Sequence, residues 1–138
     1  MKPIIQEEIT GCAIASSAAI SGISYEKAKN VANGMGIYAE DSALWAETEY
    51  IRSLLAKLGV KTSAEETPFT CWESLPNCAL LSIKWHLING KPWWHWVVFV
   101  SEVGHEYVLD SKKALKKNIR TDFGRMKPKW YIEVKTSE

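Results

Sequence analysis

Trp93-Trp94-His95-Trp96-Val97-Val98-Phe99-Val100 is a run of aromatic and β-branched residues broken by one histidine. Such residues suit a pleated, half-buried surface, so Trp94 to Ser101 is expected to be a strand. Alternation places His95 with Val97 and Phe99 on one face, and Trp94, Trp96 and Val98 on the other. Upstream, Ala79-Leu80-Leu81-Ser82-Ile83-Lys84-Trp85 reads as a partner strand, joined through a turn at Asn89-Gly90-Lys91-Pro92. Downstream, Glu102-Val103-Gly104-His105 forms a tight connection to a strand over Glu106 to Leu109. A last strand, Trp130 to Val134, follows a basic segment expected to be partly helical.

Before Pro68 the period is helical. Gly11 to Ser21 is crowded with alanine and serine, which suits a helix buried against other backbone. Ser24 is placed to cap a second helix with a stripe of Ala28, Val31, Ala32 and Met35, ended by Gly34 and Gly36. Leu44, Thr48, Ile51, Leu55 and Leu58 mark one face of a third, capped by Asp41 or Ser42 and ended by Gly59. Helices first and strands after imply an α+β fold, with helices on one side of an antiparallel sheet. No repeat or linker interrupts the chain, so a single domain over residues 1–138 is expected.

With 138 residues, 46% of them apolar, a core can form without metal or disulfide staples. A formal net charge of +1 points to neither nucleic acid nor a membrane surface as the main partner. The charge is uneven: nine Lys or Arg lie between Lys112 and Lys135, against Asp122 and Glu133. A run of this kind is ordinarily a solvated face, and otherwise a patch for an acidic substrate or partner. Cys12, Cys71 and Cys78 cannot all pair with one another, the N-terminal residues lack a signal-peptide stretch, and no segment is long and apolar enough to span a membrane. A cytoplasmic setting with free thiols is therefore expected. The spacing of Cys71 and Cys78 is unlike a zinc knuckle, and no metal or organic cofactor is implied.

Four residues carry candidate chemistry. Cys12 opens the small-residue helix, where unpaired N–H groups and the helix dipole favour thiolate over thiol. The alternative is a buried cysteine acting as a small apolar side chain. His95 is a titratable ring at the head of an apolar strand, which needs a partner or a task. The alternative is a core histidine satisfied by one carbonyl, while exposure accounts for His86 and His105. Asp110 ends the next strand, where it can fix the His95 tautomer or simply begin a turn. Gln6 can donate to an oxyanion beside the Cys12 backbone N–H, or be an exposed polar residue near the chain end. Trp93, Trp94 and Trp96 either wall a substrate cleft or belong to the core.

Gln6-Glu7-Glu8-Ile9-Thr10-Gly11-Cys12-Ala13-Ile14-Ala15-Ser16 resembles the N-terminal motif of papain-like cysteine peptidases, above all the bacteriocin-processing (double-glycine leader) peptidases and their stand-alone relatives. His95-Trp96-Val97-Val98-Phe99-Val100 is similar to that family's histidine strand, and Val108-Leu109-Asp110-Ser111 to its acid-bearing strand end. Gly11 stands where the family usually has Asp, Ala13 where it has Gly, and Ser111 where Pro is common. These departures bear on leader processing more than on the catalytic class. The resemblance implies a papain-like fold and a cysteine peptidase of peptide or protein substrates, with Cys12 as nucleophile, His95 as base, Asp110 as orienting acid and Gln6 in the oxyanion hole. Three other readings remain: another thiol acyl hydrolase or transferase of amidase type, an inactive binding module on the same fold, and an unrelated α+β domain with Cys12 and His95 in its core.

Overall fold

Eleven consecutive residues, Cys78–Ile88, form strand β3, and a two-residue turn returns the chain as β4, Lys91–Glu102. Asn89 (φ 51°) and Gly90 (φ 78°) are both left-handed, as a tight hairpin turn with the strands' own twist requires. Pro92 lies within β4 opposite Leu87, not in the turn. The structure is a computed structural model and describes residues 1–135.

The described residues form an α+β fold with four α-helices and a seven-stranded antiparallel sheet. The other strands are β1 (Lys61–Thr62), β2 (Thr67–Pro68), β5 (His105–Leu109), β6 (Ile119–Arg120) and β7 (Trp130–Lys135). Their order is β1-β7-β3-β4-β5-β6, with β2 also pairing with β7. The long hairpin is thus central, flanked by β7 and β5. β1, β2 and β6 are two residues each and too short to carry an alternating pattern.

Helix α1 (Cys12–Ser21) buries nearly its whole circumference, which its alanines and serines permit by letting neighbouring backbones approach. Gly22 closes it in the left-handed conformation, φ 70°. Helix α2 (Tyr25–Gly34) is capped as expected, the Ser24 hydroxyl accepting from the Lys27 N–H at 3.1 Å. The third helix is shorter than its periodicity suggested. Asp41 caps only a 3-10 turn over Ser42–Leu44, and α3 runs from Glu49 to Lys57, leaving Leu44 and Thr48 outside. The interruption falls at Trp45, whose indole N–H donates to the Ala39 carbonyl and whose ring meets that of Trp93 at 4.7 Å. Those tertiary contacts override the local helical pattern.

One face of the sheet packs against the helices through Ala13, Ile51, Leu55, Leu80, Trp96, Val98 and Ile132. The opposite face is also covered, contrary to the expectation of helices on one side. Ala79, Leu81, Val97 and Phe99 pack there with Trp72, Phe123 and Met126, the last two from the short helix α4 (Phe123–Met126). Among the described residues, no helix is long and apolar enough to cross a membrane.

Candidate active site

Cys12 is the first residue of α1, with a free, half-buried thiol. Gly11 precedes it at the cap position and offers no side-chain acceptor, so the first N–H groups of the helix stay available at this end. A Cβ at Gly11 would overlap the Tyr25 hydroxyl, itself donated to the Glu8 carboxylate. Lys29 completes that cluster, its Nζ 2.6 Å from Glu8 Oε2. Burial would raise the Glu8 pKa, but Lys29 and Tyr25 together lower it. Gly11→Ala is therefore expected to destabilise the fold by about 1–3 kcal/mol through overpacking. Removing the hydroxyl in a Gly11→Ala/Tyr25→Phe double variant should recover much of the loss, as read by denaturant unfolding. A double variant no better than the single one would place the strain elsewhere.

The antiparallel register explains how His95 meets Asp110. β4 and β5 pair Val98 with Leu109, so the next step sets Asp110 opposite Val97 and diagonal to His95 on one face. His95 Nε2 lies 2.7 Å from Asp110 Oδ1, which leaves Nδ1 for its other polar neighbour, Cys12. Burial alone would lower the imidazole's pKa, but the hydrogen bond to Asp110 and the charge and hydrogen bond of Cys12 outweigh it and raise it to about 9. Burial would likewise raise Asp110. His95, the Lys112 N–H and the Arg120 guanidinium instead hold its carboxyl at about 2.

Asp110 is 1% exposed and gripped from every side. The Lys112 N–H donates to Oδ1 at 3.1 Å, Arg120 Nη1 donates to Oδ2 at 3.0 Å, and Asn118 Nδ2 donates to its backbone carbonyl at 2.8 Å. Arg120 also pairs with Asp122. This arginine belongs to the basic run that sequence alone assigns to a solvated face or a surface patch, and it is a structural member of the site instead.

Gln6 is buried and binds through its backbone N–H and both polar atoms of its side chain. Its backbone N–H donates to the Ser111 carbonyl at 3.0 Å, and its Oε1 accepts from the Ser111 hydroxyl at 2.7 Å. Its Nε2 donates to the carbonyls of Glu8 at 3.1 Å and Ile9 at 2.6 Å. Both amide hydrogens are thus engaged, and oxyanion donation requires one of these bonds to open. In this arrangement Gln6 clamps the loop before Cys12 to the residue after Asp110.

Cys12 and His95 lie in the wall of a cleft of about 380 Å³. Trp45, Trp93 and Trp94 line it, and Trp94 Nε1–H is buried there without a partner. Trp96 borders the cleft too but is 2% exposed, with its ring 5.7 Å from Trp94 and 5.4 Å from Trp130. Packing is its main part. Its indole N–H donates to the Tyr50 hydroxyl at 3.2 Å. Burial, and next the negative charge of Cys12, raise the Tyr50 pKa, so the phenol stays protonated beside the thiol. Tyr50, Trp45, Lys84 and Arg120 had no motif to announce them. His86, explained from sequence by exposure alone, also lines the cleft. Cys78 is buried, its pKa pushed up to about 12, and Cys71 is exposed outside the cleft. Among the described residues, no group of three or more His, Cys, Asp or Glu is arranged to hold a metal ion.

No family model, no curated protein and no solved structure matches the chain.

Proposed function

We propose that the chain is a cysteine peptidase on a papain-like fold, hydrolysing a peptide bond of a peptide or protein with Cys12, His95 and Asp110. One observation carries this reading: an imidazole held at Nε2 by a buried carboxylate shares the wall of a cleft with a free thiol at a helix N-terminus, near enough for the thiol to act on the imidazole. His95 and Cys12 form an imidazolium–thiolate pair, and Cys12 Sγ attacks the acyl carbon. The developing oxyanion takes the Cys12 backbone N–H, and Gln6 Nε2 once it releases one loop carbonyl. His95 Nδ1 gives its proton to the departing amine. It then takes one from water, whose oxygen replaces sulfur on the acyl carbon and frees the thiol. Asp110 keeps the ring oriented throughout.

The test is the pH dependence of Cys12 alkylation by iodoacetamide, with Cys71 and Cys78 replaced. Labelling is expected to be rapid well below pH 8 and about tenfold or more slower in His95→Ala, because the thiolate loses its counter-ion. Proton delivery to the amine should fail above about pH 9, where the imidazolium is lost. A free-thiol profile indifferent to His95 would sink the catalytic reading. The engaged Gln6 amide would then favour an inactive binding module on the same fold.

A further inference from the structure

Cationic side chains gather in the wall of the cleft. Lys84 and Lys112 line it together with Lys113, and Lys84 and Lys112 are near enough to act on each other. Among the ion pairs of the described residues, none includes any of these three lysines. The acid that acts on Lys84 is Asp110, whose two oxygens are engaged by His95, Arg120 and the Lys112 N–H. Burial lowers the Lys84 pKa most, and Lys112 lowers it further against the pull of Asp110.

The backbone is bent to present one of them. β3 slips register between Ile83 and His86, so Lys84 and Trp85 face a single residue of β4. Lys84 there takes φ 56°, a left-handed conformation unfavourable for a residue with a Cβ. Bulges of this kind re-aim side chains beside functional sites.

The placement also gives a direction. Ile83, just before Lys84, pairs with His95, and the Lys112 N–H shares with His95 the same Asp110 oxygen. Both lysines therefore stand on the imidazole's side of the cleft, while Glu7 and Glu8 border it on the loop that leads into Cys12. The imidazole delivers its proton to the leaving amine, so the leaving portion of a substrate lies on the lysines' side.

We propose that the cleft selects substrates with a carboxylate on the leaving-group side of the scissile bond, held by Lys84 and Lys112. This rests on the cysteine-peptidase reading above. An acidic side chain and a free C-terminal carboxylate offer the same chemistry.

Three bromoacetyl reagents separate the possibilities: bromoacetyl-alaninamide, which is neutral; bromoacetyl-alanine, with a free α-carboxylate; and bromoacetyl-glutamic acid α-amide, with a side-chain carboxylate. Each alkylates Cys12 by displacing bromide and extends from the thiol as a leaving group would. Rates are taken relative to N-acetylcysteinamide, in protein with Cys71 and Cys78 replaced. At low salt, at least one acidic reagent should be preferred over the neutral one by about tenfold, the scale of two cations acting across a partly hydrated site. The acidic reagent that leads identifies the carboxylate's source. The preference should largely vanish in Lys84→Gln/Lys112→Gln, and should fall steeply with added NaCl in the parent protein. The salt series keeps the test open should the double variant misfold. Acidic reagents no faster than the neutral one, or a preference that survives both the variant and high salt, would overturn the proposal. The ratio is read at any absolute rate. Uniformly slow labelling unaffected by His95→Ala therefore removes the peptidase reading separately, while the ratio still decides whether the lysines hold a carboxylate.

Discussion

Asp110→Asn is expected to slow Cys12 alkylation near pH 7 by about tenfold or more, because the imidazolium loses the buried negative charge that holds it. Asparagine keeps the shape, and its carbonyl can still accept from His95 Nε2. It cannot neutralise a cation, so His95 should titrate well below its present value of about 9. Arg120 suffers as well, because its Nη1 now meets an uncharged amide where it bound Oδ2 at 3.0 Å. Removing one partner from a buried charged cluster costs about 3–5 kcal/mol. An unchanged alkylation profile in a folded Asp110→Asn protein would exclude the carboxylate's charge from any part in holding the imidazolium.

The same cluster shapes stability against pH. Asp110 is held at about 2 against an ordinary 3.8, so its contribution is complete above about pH 4 and is lost as pH falls toward 2. His95 is raised from 6.5 to about 9, so its contribution is complete below about 6.5 and is lost as pH rises through 9. Each limb is worth roughly 2–3.5 kcal/mol, and the His95–Asp110 bond is common to both, so the two do not add in full. Denaturant unfolding of the parent protein across pH should show both limbs, and Asp110→Asn should flatten them.

Why some of this was legible in sequence and some was not follows from how far each signal reaches. Trp94 to Ser101 and Ala79 to Trp85 are apolar runs long enough to declare a strand, and both lie within strands. A short hairpin then brings Asp110 beside His95 by register alone, which is why that pair could be anticipated. Ser24 and Gly59 act locally, as cap and left-handed terminator, and held their positions. Leu44 did not join α3, because a distant partner for Trp45 outweighed a local period. Arg120 reaches Asp110 from a two-residue strand that has no pattern of its own. Lys84 points into the cleft only because of a bulge, and the occupied state of Gln6 depends on loop carbonyls whose direction no spacing encodes. Ser111, a departure from the family pattern, is the residue that Gln6 holds through both hydroxyl and carbonyl.

Trp96→Ala should cost about 3–5 kcal/mol, the range for truncating a buried aromatic, and lower the melting temperature by roughly 10–15 °C. Trp96 stands in the helix-side core beside Leu80, Val98 and Ile132, and its ring closes an aromatic cluster with Trp94 and Trp130. Edge-to-face pairs of this kind add to simple area burial. Trp93 is only partly buried and meets Trp45 across the cleft, so Trp93→Ala should cost much less stability while changing the wall that a substrate would touch. Trp96→Phe separates packing from polarity, since it fills most of the core volume and deletes only the N–H that donates to Tyr50 at 3.2 Å. If Trp96→Ala and Trp93→Ala destabilised equally, Trp96 would not be the core residue its 2% exposure describes. Near-native stability in Trp96→Phe together with slower Cys12 alkylation would show that the indole N–H acts through Tyr50 on the thiol. A native rate there would confine Trp96 to packing.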